Sequence, residues 1–237
     1  GINYNFGFTI TEFTVSDNFF YVVDNTSRLI IRQYTLAGVS TGVTFTHPSV
    51  GTRINVMFWN GTNIVAGVPN GVGNLDTVLL DESLVQQGAL FSWAVTNTSP
   101  TDSTYDQTNN FIYFLRSSTI IYRYDSAYSN ETLINISGVT GFASGITIKD
   151  GQLYVSDQDD DVFYVYNTTG GAPTSTIPAV AAGEGTRLIE ILSTTGAIWG
   201  GGATPNLSSI YEFNSNVGDG TARTDTDSAQ PLFIRIG

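Results

Sequence analysis

Three carboxylates fall in predicted strands that could face a common centre: Glu12, Asp106 and Glu190. A glycoside hydrolase needs an acid and a second carboxylate about 5–10 Å apart, so these residues are candidates for such a pair. Glu190 lies in the apolar run RLIEIL (187–192), where burial would raise its pKa as a general acid requires. Enzymes of that kind usually carry longer loops than 237 residues allow. The sequence therefore favours a non-catalytic role for the three carboxylates, as polar residues that line a channel and are either hydrated or paired with arginines.

A second candidate site is the acidic segment DQDDD (157–161), in which Asp157, Asp159 and Asp161 alternate like the first ligands of a calcium loop. Val162 stands where an EF-hand needs glycine, and Thr168 stands where it needs the bidentate glutamate. The segment is therefore not an EF-hand. We expect a solvated β-turn, with an irregular calcium site as the alternative, and no other cofactor.

Composition excludes most other chemistry. Cysteine is absent, which excludes a thiol nucleophile, a disulfide framework and a cysteine-based metal site. The one histidine, His47, precedes proline in a segment typical of a turn, and the run Gly200–Gly202 predicts a strand-end turn rather than a phosphate loop. A net charge of −12 disfavours nucleic acid and anionic membranes, and no apolar run is long enough to cross a bilayer. The sequence predicts a chain without catalysis of its own.

Aromatic residues and sequons point to carbohydrate in two different ways. Trp59, Trp93 and Trp199 could stack on the apolar face of a sugar, although packing in the core is the commoner role of tryptophan. Asn-x-Ser/Thr sequons, several in predicted turns, could carry glycans in a secreted chain, with chance composition as the alternative. The sequons are at Asn25, Asn60, Asn97, Asn130, Asn135, Asn167 and Asn206.

The elements that would position these residues are predicted to be almost entirely β-strands. Alternating segments rich in β-branched and aromatic residues end at Asn or Asp, for example NFFYVVD (18–24), TIIYRYD (119–125) and DVFYVYN (161–167). Only DESLVQQGAL (81–90) and AVAAGEG (179–185) tolerate a helix, and glycine interrupts both.

One strand pattern recurs along the chain with a period of roughly 45 residues. The second strand of the unit recurs at Tyr21, Ile64, Ile112, Leu153 and Ile198, at spacings of 43, 48, 41 and 45 residues. A four-stranded unit of this length, repeated five times, predicts a single all-β domain over 1–237: a five-bladed β-propeller of four-stranded antiparallel blades. The predicted blades are approximately 8–47, 52–95, 103–137, 143–180 and 186–237.

The repeats resemble the broad YVTN/NHL class of propeller repeats, most closely in LYVSD (153–157) and VFYVYNTTG (162–170). The resemblance covers the whole chain as a repeat pattern and is good in the third and fourth repeats. It implies a fold and no particular activity, since propellers include enzymes, scaffolds and binding modules.

The opening segment, residues 1–7, lies outside the repeat and looks like one more strand, with Ile2, Tyr4, Phe6 and Phe8 on one face. The last blade already has a fourth-strand candidate in QPLFIRI (230–236). The opening strand therefore either pairs within the last blade of its own chain or acts as an assembly strand that adds to an edge of a neighbouring subunit.

These features predict a non-enzymatic extracellular propeller. Lys149 is the only lysine, and a composition rich in small polar residues suits a secreted or surface protein. The sequence begins at Gly1 without a Met or a signal segment, so we expect either that a signal was cleaved or that the chain is a fragment. We expect a structural or assembly subunit of a surface appendage, filament or virion, whose partners are further copies or other surface proteins. A glycan-binding, lectin-like module is the alternative, and a glycoside-hydrolase-like propeller is a third hypothesis.

Overall fold

The computed structural model describes residues 3–95, 100–157, 159, 162–178, 188–192, 197–201 and 209–213. All regular elements in these ranges are β-strands, which form four-stranded antiparallel sheets. The first strand, β1 (Asn3–Asn5), belongs to a sheet completed by the last strands described.

Four sheets are blades made of consecutive strands. The first blade contains β2 (Ile10–Val15), β3 (Phe19–Asp24), β4 (Ile30–Thr35) and β5 (Ser40–Thr46). The second contains β6 (Val56–Trp59), β7 (Ile64–Pro69), β8 (Asn74–Leu80) and β9 (Phe91–Ala94). The third contains β10 (Asp102–Asp106), β11 (Phe111–Ser117), β12 (Ile120–Asp125) and β13 (Thr132–Asn135). The fourth contains β14 (Ala143–Lys149), β15 (Gln152–Asp157), β16 (Val162–Asn167) and β17 (Ser175–Pro178).

The remaining sheet, which we call the terminal sheet, joins the first described strand of the chain to the last three. Its strands are β18 (Leu188–Leu192), β19 (Ala197–Gly201), β20 (Ser209–Phe213) and β1, in the order β1-β20-β19-β18. Strand β1 pairs antiparallel with β20, with Asn3 opposite Tyr211 and Asn5 opposite Ser209.

The first strands of the sheets are neighbours of one another. Strand β6 contacts both β2 and β10, β14 contacts both β10 and β18, and β18 also contacts β2. Side chains on these inner strands reach the backbone of the next blade: Thr14 accepts a hydrogen bond from the Trp59 amide (3.1 Å) and Ser103 one from the Met57 amide (3.2 Å). The Asp102 carboxylate accepts one from the Ile146 amide at 2.9 Å. Polar residues on inner strands thus connect adjacent blades.

Burial decreases from the inner to the outer strand of each blade. Five of the six residues of β3 (FFYVVD) are buried, because both faces of a blade pack against neighbours. Six of the seven residues of the outer strand β5 are exposed. The core lies between blades: one cluster joins Tyr21 and Ile31 of the first blade to Met57 and Val78 of the second. Equivalent clusters lie between the second and third and between the third and fourth blades.

The predicted all-β propeller with four-stranded antiparallel blades is confirmed. The predicted number of five blades, each of consecutive strands, is wrong: four blades have that form. The reason is that the strand beside β20 is β1, whereas the fourth strand expected there, 230–236, lies outside the described residues. No helix capable of spanning a bilayer occurs in the described part of the chain.

Candidate functional site

A cavity of about 450 Å³ lies where the inner strands of four blades begin. Its walls come from the start of β2, from the segments that lead into β6 and β10, and from the start of β14. These segments converge because each connects the outer strand of one sheet to the inner strand of the next, so all of them reach the same end of the molecule. We call this cavity the channel-mouth cavity. The side chains that give it polar character are Glu12, Asn25, Arg53, Asn55 and Arg116, and Phe142 adds an aromatic ring.

Among the sequence-predicted catalytic candidates whose side chains are described, Glu12 is the one that lies in the cavity wall. It lies on β2 opposite Val23, just after a bulge that shifts the register between Ile10 and Glu12, and it is 2% exposed. A bulge turns successive side chains away from simple alternation, which brings this carboxyl toward the cavity although its neighbours Phe13 and Val15 are core residues.

Asn55 contributes a buried amide to the same wall. It lies immediately before β6, and its backbone amide donates to the Gly67 carbonyl at 3.0 Å. The side chain is 5% exposed, and Oδ1 has no hydrogen-bond partner among the described residues. An unfilled buried acceptor costs about 1–3 kcal/mol, so a donor that entered the cavity would recover this free energy.

Two arginines give the cavity its positive charge. Arg53 is exposed and forms neither an ion pair nor a hydrogen bond with the described part of the chain. Arg116 is held in place: its Nη1 donates to the Tyr122 hydroxyl at 2.8 Å, and its guanidinium lies 5.9 Å from the centre of that ring. Both guanidiniums keep free donors for a carboxylate or another anion.

Phe142 is the exposed aromatic residue of the cavity, and the acidic segment holds it there. Its backbone amide donates to Asp159 Oδ2 at 3.1 Å, and the preceding Gly141 amide donates to Asp157 Oδ2 at 2.9 Å. A Cβ on Gly141 would meet Asp157 Oδ1 and Asp159, so glycine permits this close approach. Asp157 Oδ1 also accepts from the Asp159 amide.

This arrangement gives Asp157 and Asp159 a structural role as acceptors for backbone amides. Asp161, the third residue of the expected calcium loop, lies outside the described residues. No group of three or more His, Cys, Asp or Glu side chains suited to a metal occurs within the described ranges. Calcium binding at this segment stays a prediction.

Asp106 lies at the other end of its strand from the cavity. Its Oδ1 accepts from the amides of Thr108 and Asn109, and its Oδ2 accepts from the Asn109 side chain at 2.8 Å. The hydrogen bond from the Met57 amide to Ser103 fixes how far β10 extends along the channel relative to β6. Asp106 lies three residues beyond Ser103, which is about 10 Å further from the cavity. Both oxygens therefore cap the β10–β11 turn, and the structure does not pair Asp106 with Glu12. Glu190 lies on β18 opposite Trp199, with its side chain outside the described part.

The two tryptophans with described side chains, Trp59 and Trp93, pack in different parts of the core between blades. Trp93 is 2% exposed and lies between the second and third blades, 4.8 Å from Phe114 and 5.1 Å from Tyr124 by ring centroids. Trp59 packs half-buried against the core of the first and second blades. Neither lines the channel-mouth cavity, and the side chain of Trp199 is not among those described.

Five sequon asparagines are described, and Asn97 and Asn206 lie outside the described residues. Asn25, Asn135 and Asn167 are exposed, and Asn60 is half-buried and caps a turn by accepting from the amides of Thr62 and Asn63. Asn130 is exposed, but its Nδ2, the atom that would carry a glycan, donates to Asp125 at 2.5 Å. Glycosylation at these positions stays a prediction.

His47 is 2% exposed beside the second blade. Its Nδ1 accepts from the Ser49 amide at 3.1 Å, which leaves Nε2 as the donor to the Ala66 carbonyl at 3.3 Å. Burial lowers the pKa of the imidazole below its ordinary value. The ring therefore serves as a neutral structural group in its loop.

The residues expected to form an assembly strand are used within the chain. Tyr4 lies on β1 opposite Ile210, and Ile2 lies outside the described residues. Phe6 packs edge-on to Tyr34 with centroids 4.4 Å apart, and Arg32 lies over the Phe8 ring at 5.9 Å. Addition of this strand to a second subunit stays a prediction.

Known proteins support the fold without identifying a family. No protein-family model and no curated protein matches the sequence, so the resemblance to the YVTN/NHL class is not confirmed. Among solved structures, the crystal structure of Myxococcus xanthus glutaminyl cyclase is similar, with a TM-score of 0.66, 11% identity, and coverage of 89% of this chain and 92% of that chain. The chain has a β-propeller fold. At this identity the likeness shows the fold alone, and the function of this chain does not follow from it.

Sequence reasoning missed Arg53, Asn55, Arg116 and Phe142 as cavity residues. They lie in three segments far apart in the chain, and no local motif links them. One signal was available: Asn55 stands at the start of an apolar strand, where an isolated amide requires an explanation.

Proposed function

We propose that this propeller is a non-catalytic binding module that holds a small polar ligand in the channel-mouth cavity. The observation that carries the proposal is the buried Asn55 amide, with Oδ1 unfilled by described residues, in a cavity that also presents a carboxyl group and two guanidiniums. A cavity of about 450 Å³ is within the range that small-molecule sites occupy. Of the proposed catalytic carboxylates with described side chains, only Glu12 lines it, which favours binding over hydrolysis.

A fifth blade is part of the same proposal. We infer that the terminal sheet acts as this blade, since β18 contacts both β14 and β2 and would close the ring of inner strands. Strand β1 would then secure the closure by supplying the outer strand next to β20. A closed ring would hold the cavity walls at fixed separations.

The binding proposal is tested by titrating isotopically labelled protein with named mixtures of monosaccharides, amino acids and nucleotides, and following backbone amide shifts. We expect shifts at residues 53–55 and 142–144 and none at the β10–β11 turn, residues 107–110, at the other end of the channel. Thr9→Trp, at the cavity wall, should block binding, whereas Thr108→Trp in that exposed turn should not. Shifts confined to other surfaces, or none at all, would refute the proposal.

An enzymatic role is tested in the same samples. Glutaminyl cyclase activity, suggested only by the similar fold, is assayed with a peptide that begins with glutamine. Turnover that Thr9→Trp abolishes would replace the non-catalytic proposal with an enzymatic one.

A structural role in an extracellular assembly is the second candidate. It is favoured by β1, which has one neighbour among the described strands and lies at the edge of the sheet that they form, and by four exposed sequon asparagines. Strand addition would require β1 to leave β20 and Phe6 to leave Tyr34. A chain lacking residues 1–9 is mixed with the full chain and particle size is measured. Assembly that is unchanged by the truncation, or a full chain that stays monomeric, would refute this candidate.

A further inference from the structure

We propose that the ligand of the channel-mouth cavity is a small carboxylic acid that carries a hydrogen-bond donor, either a hydroxyl or an ammonium group, within two carbons of its carboxylate. The inference rests on the proposed binding function and specifies its ligand class. Uronic acids and α-amino acids both have this chemistry, and the two sources are separated by experiment.

The carboxylate is assigned to the side of the two arginines. Arg53 has no ion pair or hydrogen bond within the described ranges, although the chain has 21 acidic and 9 basic residues. In so acidic a protein, two cationic groups at one cavity form a local reversal of charge. A guanidinium offers paired N–H donors that match the two oxygens of a carboxylate. The Arg116 guanidinium is already oriented by Tyr122, so less side-chain freedom is lost when an anion binds.

The donor is assigned to the side of Asn55 and Glu12. The Asn55 amide lines the cavity while its Oδ1 has no partner in the described part of the chain. Rotation about the last side-chain bond of asparagine is soft, so this oxygen can turn to a ligand. Glu12 places a carboxyl group in the same wall. A ligand hydroxyl or ammonium group would hydrogen-bond these oxygens, whereas an acetate-like anion would leave Asn55 unsatisfied.

Phe142 limits the shape of the ligand. Its side chain is 47% exposed and lines the cavity, and its backbone is fixed through Asp159. A flat apolar surface of this kind stacks against the C–H face of a sugar ring. A uronic acid would use all three features, and a small amino acid would use the polar ones only.

The test titrates the intact protein at low salt with five probes: D-glucuronate, glycine, D-glucose, acetate and ethylammonium. We expect D-glucuronate or glycine to shift the amides of residues 53–55 with an affinity at least about tenfold above that of the three probes that lack one of the two groups. Binding of glucuronate alone assigns the donor to a hydroxyl, and binding of glycine alone assigns it to an ammonium group. Phe142→Ala should weaken glucuronate and leave glycine unchanged.

Arg53→Gln should weaken the bound acid about five- to tenfold and reduce the salt dependence of its affinity. The control is Lys149→Gln, which removes the same charge at the far end of β14. Equal affinity for D-glucose and D-glucuronate, or an unchanged affinity in Arg53→Gln, would overturn the inference and leave the binding function standing. No cavity shift with any of these probes or with the broader mixtures would overturn both.

Discussion

Tyr128 combines an unfavourable backbone conformation with a favourable side-chain contact, and the two can be measured separately. Its φ is +61°, in the left-handed region that costs an ordinary residue about 1–2 kcal/mol. The equivalent turns of the first and fourth blades use Gly38 and Gly170, whose φ values are +75° and +81°. The tyrosine ring lies 4.9 Å from Trp93 and 5.0 Å from Phe91 by centroids, and burial raises the pKa of its phenol to about 12.

The balance favours the ring. Burial of a large side chain stabilises by about 1.5–3 kcal/mol, and each aromatic pair adds about 0.5–1.5 kcal/mol. Tyr128→Ala loses these contacts and keeps the strained backbone, so we expect the free energy of unfolding to fall by about 3–4 kcal/mol. Tyr128→Gly loses the same contacts and recovers the backbone term, part of which the extra entropy of glycine in the unfolded chain removes. We expect this variant to lie about 2 kcal/mol below the parent and about 1 kcal/mol above the alanine variant.

Urea unfolding of the three proteins, followed by tryptophan fluorescence, measures this order. Asp150→Gly is the matched control, because Asp150 has φ +50° in an exposed turn without such packing, and we expect a change below about 0.5 kcal/mol. A Tyr128→Gly protein as stable as the parent would refute the assigned role of the ring. Equal stabilities of the glycine and alanine variants would refute the assigned backbone strain.

Three further predictions concern single contacts. The pKa of His47 in the folded protein lies below the unfolded value of 6.5, so at a pH between these two values the unfolded chain binds more protons than the folded one. The free energy of unfolding should therefore fall as the pH drops below about 6.5. In His47→Asn, the urea midpoints at pH 5 and pH 7.5 should lack this part of the pH dependence. Asp102→Ala should leave the Ile146 amide without its carboxylate and lower the free energy of unfolding by about 2–4 kcal/mol, measured by denaturation, and an unchanged value would contradict the inter-blade role. Gly141→Ala should lower thermal stability, since its Cβ meets Asp157 and Asp159, and a melting temperature equal to that of the parent would contradict the close approach.

The blades could be predicted from the sequence because each repeats the same physical requirement. A strand between two neighbouring blades is apolar on both faces, and FFYVV, FIYFL and VFYVY all meet that requirement. The partner of β20 could not be predicted in this way. Two segments, 2–8 and 230–236, had suitable alternation, and pairing between distant segments depends on the closed geometry rather than on either pattern alone.

The candidate site was only partly predictable, and the two carboxylates show why. Glu12 and Asp106 both occur in first strands, but strand membership does not fix the level along the channel. The residues after Asp106, QTNN, favour a carboxylate-capped turn, and the structure uses Asp106 in that way. Glu12 has no such turn after it and lies beside a bulge, which no pattern in the sequence indicates.

Ligand binding and strand addition place different demands on the terminal sheet, so they can be separated in one protein. The cavity is lined mainly by the starts of β2 and β14 and by the segments that lead into β6 and β10, whereas β1 pairs with β20 at the outer edge of the terminal sheet. Departure of β1 would therefore remove no described wall of the cavity, although it would expose the edge of β20. If the chain binds its ligand equally well as a monomer and in an assembly, the two roles are independent. If assembly changes the affinity, the terminal sheet transmits the effect through the contacts of β18 with β14 and β2.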